Sequence, residues 1–415
     1  MSKRAASANS HSQNRRSEVW IANRSDGVPG IGTLKDPYDG STQLKLHAIM
    51  DMIPPETTIH FSSGTFVTKG IVPKTGWRLY LSSKTIVRLD VLDRIPGQKW
   101  AIFGAGSPNP VSDIWIEGGV WDCNLQNQNL HLAAQAISFI SGDGNITINK
   151  IKVINWGSTL KGAECFVVSV FNTGSTGKVA RNVTLDGIEV TQPAPIVHLN
   201  SASLIGANGQ DPVNPKALSN GWIEKVNIRH CYVHDIDIPV IIASVQMGGW
   251  CRDVHIHDNR FENLGPKNNT LSGCYLDTGS SENLLVEKNV FSGVVHGVWA
   301  SLSTPYPVGN WIIRNNRILI NRTSASGGIE LRGVNTTIRN LIIEKNTIAS
   351  STGAKLSAYG IVLGNVSNAT IRQNTIDDIN GWNQIVFETN VEDSRLINNH
   401  TRADAVLKER NQRVH

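Results

Sequence analysis

Charge is scarce in this chain. Of 415 residues only 18% are Asp, Glu, Lys or Arg, and 39 basic against 34 acidic side chains leave a formal charge of +5. Spread over a surface this large, that is a weak field: it excludes the basic footprint of a nucleic-acid binder and leaves an acidic polymer permitted but not required. Long apolar runs are missing as well. None approaches the roughly 18 residues needed to span a bilayer, so no membrane segment is read. The opening MSKRAASANSHSQNRRSEV has basic residues with no apolar stretch behind them, so no secretion signal is read either. Cysteine is sparse and odd in number. Cys123, Cys165, Cys231, Cys251 and Cys274 are far apart with no CxxC pair, which excludes a zinc or redox motif and points to free, buried thiols.

What is present is a globular composition. Hydrophobic residues make up 40% of the chain, and the 37 Gly follow no collagen-like period, so disorder is excluded and one to three domains are allowed. The count is settled by self-similarity. The segments VHIHDNRF, LLVEKNVF, WIIRNNRI, LIIEKNTI, ATIRQNTI and RLINNHT superpose without gaps on a shared asparagine: Asn259, Asn289, Asn316, Asn346, Asn374 and Asn399. Successive asparagines are 30, 27, 30, 28 and 25 residues apart. Ile151, Ile188 and Cys231 take the same place in earlier repeats.

Each repeat alternates with period two between Gly, Asn and Ser, the pattern of short strands. A second strand follows about 12–16 residues later, as VIIAS, GCYLD, GVWAS, GIELR, GIVLG and QIVFE. Such a unit cannot form a core alone. Stacked on its neighbours at about 4.8 Å it makes parallel sheets around a common interior, a parallel β-helix with one chain per coil.

Alternation separates inside from outside. Ile256, Val286, Ile313, Ile343 and Ile371 are expected to point inward, and Arg229, His257, Glu287, Arg314, Glu344 and Arg372 outward as a cross-strand charge ladder. The asparagine column is read as buried amides bonding from coil to coil. Asp235, Asn263 and Asp378 just past it are read as turn formers. Outward Leu285, Ile312 and Ile342 form an apolar stripe that a monomer would not normally leave wet, so a contact between copies of the chain is expected there. The segment DGSTQLKLHAIMDMIPP predicts a helix capped by Asp39 or Ser41, with Leu46, Ile49, Met50 and Ile53 on one face, covering the open end of the stack. Residues 1–17 are expected to be poorly ordered, 18–402 to form the solenoid, and 403–415 a tail or thin cap.

The opening DPYDGSTQ…IMDMIPPETTIHFSSGTFVTKG, the GGVWDCN turn at Gly118–Asn124 and the N-x-I coils to about residue 400 together resemble the pectate-lyase-like superfamily. That resemblance covers nearly the whole chain. It implies an all-β, right-handed parallel β-helix that acts on or binds a polysaccharide outside the cell or on a virion. Members include lyases, hydrolases, tailspike depolymerases and non-catalytic adhesins, so the resemblance specifies fold more than reaction. The tailspike-like members imply a homotrimer, for which the Leu285, Ile312 and Ile342 stripe is the candidate contact. No polygalacturonase-type Gly-His-Gly segment occurs in the sequence, and no Tyr-Gly-x-Asp-Pro-His.

Members of this architecture usually bind an extended glycan along one sheet, which directs attention to the outward residues of the second strand. Aligning Gly273, Gly297, Gly328 and Gly360 with Gln384 gives one outward column of Ile242, Tyr275, Trp299, Glu330, Val362 and Val386. The next is Ser244, Asp277, Ser301, Arg332, Gly364 and Glu388. Aromatic faces beside carboxylates and an arginine stack on sugar rings and bond their hydroxyls. The loops STPYPVGN and GPKNNTLS are candidate groove walls. For hydrolysis Glu330 is cast as general acid and Asp277 as general base, with Glu388 in reserve, at backbones roughly 11–12 Å apart. Tyr275, Trp299, Arg332 and His296 are the candidate substrate-binding residues. The bland alternative pairs Glu330 with Arg332 and leaves Asp277 a solvated sheet residue.

No cofactor is expected for hydrolysis. An elimination would instead use Tyr275, His296 or Arg332 as base, with a cation or calcium on a uronate carboxylate. The Asp277-Thr278-Gly279 tripeptide lacks the second copy an aspartic protease needs. The outward His255 and His257 have no third ligand indicated.

Overall fold

The computed structural model describes residues 16–91, 99–104, 109–128, 132–158, 163–172, 179–191, 199–209, 222–236, 241–264, 274–303, 308–321, 327–353, 358–377, 379 and 384–400. They wind into three sheets around one apolar interior, the first of 15 strands and the second and third of 11 each. The pairs are parallel, except that Gly157–Ser158 runs antiparallel to Ala133–Ala134.

One coil shows how the sequence does this. Trp250–His257 lies in the first sheet, Arg260–Leu264 in the second and Cys274–Asp277 in the third, and Ser280–Glu287 then returns beside Trp250–His257. The corner between first and second sheets is a single left-handed residue: Asp258, Lys288, Asn315, Lys345, Gln373 and Asn398 all have φ between 49° and 56°. For lysine or glutamine that conformation costs on the order of 1–2 kcal/mol. The next residue offsets it. Asn259, Asn289, Asn316, Asn346 and Asn374 each donate Nδ2 to a strand carbonyl and to the Oδ1 of the asparagine one coil on, at 2.9–3.0 Å. Each Oδ1 also takes the backbone N–H of the preceding coil, so the ladder satisfies both the amides and the bent backbone. It starts where Cys231 gives its N–H to Asn259 Oδ1.

Ile256, Val286, Ile313, Ile343 and Ile371 are fully buried in the core, as their alternation requires. On the outer face of the first sheet His257, Glu287, Arg314, Glu344 and Arg372 stand in one row. Arg229 bonds Asp186 at 2.9 Å, Arg314 bonds Glu287 at 2.7 Å and Arg372 bonds Glu344 at 2.7 Å. Leu285, Ile312 and Ile342 are adjacent in register and only half-buried. A second, exposed amide ladder escaped the sequence reading: Asn283 bonds Asp253, then Asn310 bonds Asn283, Asn340 bonds Asn310 and Asn368 bonds Asn340, at 2.8–3.1 Å. Asp235 and Asn263 are left-handed turn residues joined at 3.0 Å, as expected, while Asp378 lies outside the described residues. Cys123, Cys165, Cys231 and Cys251 are buried thiols in no disulfide, and the Cys274 side chain lies outside the described part.

At the N-terminal end the stack begins earlier than expected. Strand Ser17–Ala22 pairs with Thr57–Phe61, so Ser17 already belongs to the sheet. The helix runs Gln43–Met52 and buries Leu46, Ile49 and Met50 against Gly64–Thr68, the end strand of the second sheet. Its cap is Thr42, which accepts from the Lys45 N–H, and not Asp39 or Ser41. Asp39 is buried and occupied by the Ser41 N–H and the Lys45 ammonium, which moves the helix start along the chain. Residues from 401 onward, with the expected tail, lie outside the described part.

Candidate functional site on the third sheet

The third sheet's strands alternate cleanly. Val245, Leu276, Val298, Ile329 and Ile361 point into the core and are fully buried. Pairing then puts Gln246, Asp277, Trp299, Glu330, Val362 and Val386 in one outward row. Ser301, Arg332 and Gly364 make the adjacent row.

This register corrects the alignment on Gly273. A bulge between Ala243 and Val245 and the pairing of Leu276 with Val298 shift Cys274–Asp277 by two residues. The shift keeps Asp277 outward but moves it from the Ser301 and Arg332 row into that of Trp299 and Glu330. Asp277 and Glu330 therefore stand two strands apart without a sideways offset, about 9–10 Å between backbones instead of 11–12, with Trp299 between them. Tyr275 pairs with Ala243 and leaves the Trp299 row. Its side chain, like that of Ile242, lies outside the described part. Gly297, Gly328 and Gly360 do align, and for a packing reason: a Cβ on any of them would press on core Ile318, Ile348 or Ile376.

Asp277 is partly exposed, yet protein crowds it closely. Burial pushes its carboxyl up from 3.8 to about 6, against the opposing pull of hydrogen bonds from the Gly279 N–H at 2.9 Å and the Gln246 side chain. Gly279 is left-handed at φ +52, and a Cβ there would run into the Met247 carbonyl, so the turn that supplies this N–H depends on glycine. Gln246 Oε1 is buried with no hydrogen-bond partner.

Glu330 is 8% exposed. Its carboxylate pairs with the Arg332 guanidinium, and His296 Nδ1 lies 3.6 Å from its Oε2. Gly327 faces His296 across the strands, and a Cβ on it would sit 3.1 Å from Glu330 Oε2, so this glycine leaves the room into which the carboxylate folds. Arg332 also grips Glu388 through Nε at 2.7 Å and Nη2 at 2.8 Å. That fork holds Glu388 below the usual carboxylate range and Arg332 above the usual guanidinium range. The sequence-derived residues Asp277, Trp299, Glu330, Arg332, Glu388 and His296 are thus brought together. Glu330 does pair with Arg332, as the bland reading had it, but Asp277 is not a freely solvated sheet residue.

Most of the proposed walls, residues 265–272 of GPKNNTLS and 304–307 of STPYPVGN, lie outside the described residues. His255 and His257 stack on each other, with His255 on Glu287 and His257 on Asp258 and Asn227. Among the described residues no three His, Cys, Asp or Glu side chains converge to hold a metal ion, and no helix is long and apolar enough to cross a membrane. A cavity of about 340 Å³ lined by His47, Met50, Lys69 and Trp100 lies beside the N-terminal helix and includes none of these site residues.

No protein-family model matches the sequence, and no curated protein matches it. In three dimensions the chain is similar to a Family 28 exopolygalacturonase of Yersinia enterocolitica, with a TM-score of 0.56 at 12% identity over 92% of this chain and 79% of that one. It is also similar to a tailspike protein variant of the E. coli bacteriophage HK620, with a TM-score of 0.50 at 13% identity over 87% of this chain and 62% of that one. The fold shared with them is the right-handed parallel β-helix. At these identities the likeness shows the β-helix and leaves its chemistry to the residues on it. Two of those residues, Gln246 and Gly327, were missed in the sequence. Gln246 carries no motif, and of the adjacent Gly327 and Gly328 only Gly328 entered the coil alignment.

Proposed function

We propose that this β-helix cleaves a polysaccharide lying along its third sheet by acid–base hydrolysis, with Asp277 as general acid and Glu330 as general base. The observation that carries the reading is the row Asp277, Trp299, Glu330: two carboxyls flank an indole platform, and one of them holds its proton to about pH 6. A backbone separation of about 9–10 Å lets side chains leaning together reach the 6.5–9.5 Å that accommodates a sugar ring and an attacking water, the inverting geometry. The roles reverse those drawn from sequence because burial raises Asp277 while Glu330 is held in an ion pair with Arg332. Glu388, committed to Arg332, serves as the anchor of that arginine.

The name of the exopolygalacturonase is in keeping with a polysaccharide as partner, and that of the bacteriophage tailspike with a place on a virion. Elimination is less well supported: Arg332, pushed further from deprotonation by Glu388, makes a poor base, and hydrolysis by this pair calls for no calcium.

A glycan panel read by reducing-end release and by the ultraviolet absorbance of unsaturated products tests the reading. Reducing ends without unsaturation, an inverted anomer by NMR, and a loss of about 10²–10⁴-fold in Asp277→Asn and Glu330→Gln are expected. Cleavage that survives both substitutions rejects the site. Binding without cleavage by the wild type would make the protein an adhesin.

A further inference from the structure

We propose that the glycan accepted by this face is uncharged at the reacting sugar, a neutral polysaccharide and not a polyuronate. The inference rests on the site assignment above and adds the substrate's charge. Among the described residues, the third-sheet strands from Ile241 to Phe387 contain a single Lys or Arg with a described side chain, Arg332. Three carboxyls, Asp277, Glu330 and Glu388, share that face with it. Both edges of the guanidinium are already used, Nε and Nη2 by Glu388 and Nη1 by Glu330. A uronate carboxylate could reach Arg332 only by displacing one of them, leaving a second carboxylate uncompensated. At about 6 Å from an uncompensated carboxylate and an effective dielectric constant near 20, a uronate is disfavoured on the order of 100-fold.

The polar neighbour of Asp277 points the same way: the side chain that hydrogen-bonds it is the neutral amide of Gln246, which offers a uronate no positive charge. Trp299 between the two carboxyls offers a flat apolar surface to the C–H face of a neutral pyranose.

The test uses the full chain on an array of neutral and uronate-bearing microbial polysaccharides, with polygalacturonate and its carboxyl-reduced neutral counterpart as a matched pair. Retention on neutral members and at least 10-fold discrimination against uronates are expected. Glu388→Gln, which frees one edge of Arg332 at an exposed position, is expected to narrow that ratio about 10-fold with the circular dichroism unchanged. Preferential retention on uronates, retention on no neutral glycan, or a ratio that Glu388→Gln does not move overturns the proposal. Cleavage assays separate its failure from that of the site. A polyuronate cleaved by the wild type but not by Asp277→Asn sinks the neutral class and leaves the site standing. A neutral glycan still cleaved by both Asp277→Asn and Glu330→Gln sinks the site and the inference with it.

Discussion

Replacing Asp277 by Asn should stabilise the protein above pH 6 while abolishing cleavage. Asn is nearly isosteric and its carbonyl oxygen can still accept the Gly279 N–H that now bonds Asp277 at 2.9 Å, so the main change is removal of a charge that the folded state disfavours. The interval from 3.8 to about 6 is worth about 3 kcal/mol at 1.36 kcal/mol per pH unit. Its sign follows from proton counting. Below pH 3.8 the folded and unfolded forms both hold the proton, and Asp277 costs nothing. Between 3.8 and 6 only the folded form holds it, so wild-type stability falls as pH rises. Above 6 the loss is complete. Urea denaturation of wild type and variant across pH 3.5 to 8 should therefore give curves that coincide at the acid end and diverge to about 3 kcal/mol in favour of the variant. A difference that does not change with pH, or a variant less stable at pH 8, would refute the raised carboxyl and with it the choice of Asp277 as acid.

Asn316→Ala removes a side chain that makes four bonds in the middle of the buried ladder. It leaves the Asn289 N–H without this acceptor, so a loss of about 3–5 kcal/mol is expected by chemical denaturation. The exposed Asn310, left-handed at φ 57, should tolerate Gly within about 0.5 kcal/mol. Equal losses at the two sites would contradict the burial argument. Gly327→Ala places a methyl 3.1 Å from Glu330 Oε2. Cleavage should fall about 10-fold or more with little change in melting temperature, and unaltered kinetics would show that the carboxylate is not held there. Finally, Ile312→Arg interrupts the half-buried stripe between Leu285 and Ile342. Light scattering is expected to show the wild type as a trimer and the variant as a monomer, and a monomeric wild type would reject the stripe as a contact between copies.

The repeat was legible because it is local and periodic. An inward isoleucine three residues before each of Asn259, Asn316, Asn346 and Asn374 follows from alternation alone, and a buried amide at 4.8 Å spacing has few partners except its own copies. The corner residues show the limit of that logic. Nothing about Lys288 or Gln373 announces a left-handed turn, which exists because the asparagine after each is locked into the ladder. The helix face was readable and its cap was not, since Asp39 had been claimed by Lys45.

By itself the sequence determined the solenoid, its inside and outside, and the set of polar residues on the third sheet. Each follows from a period of two nested in a period of 25–30 residues, and neither period depends on distant contacts. Only the tertiary structure decided which of those residues are neighbours. Register between strands separated by long loops is set by packing across coils: Leu276 settles against Val298, which carries Asp277 to Trp299. The chemistry changed with that placement, because the surroundings of Asp277, and not its identity, raise it to about 6, while Arg332, two strands further along, is held between Glu330 and Glu388.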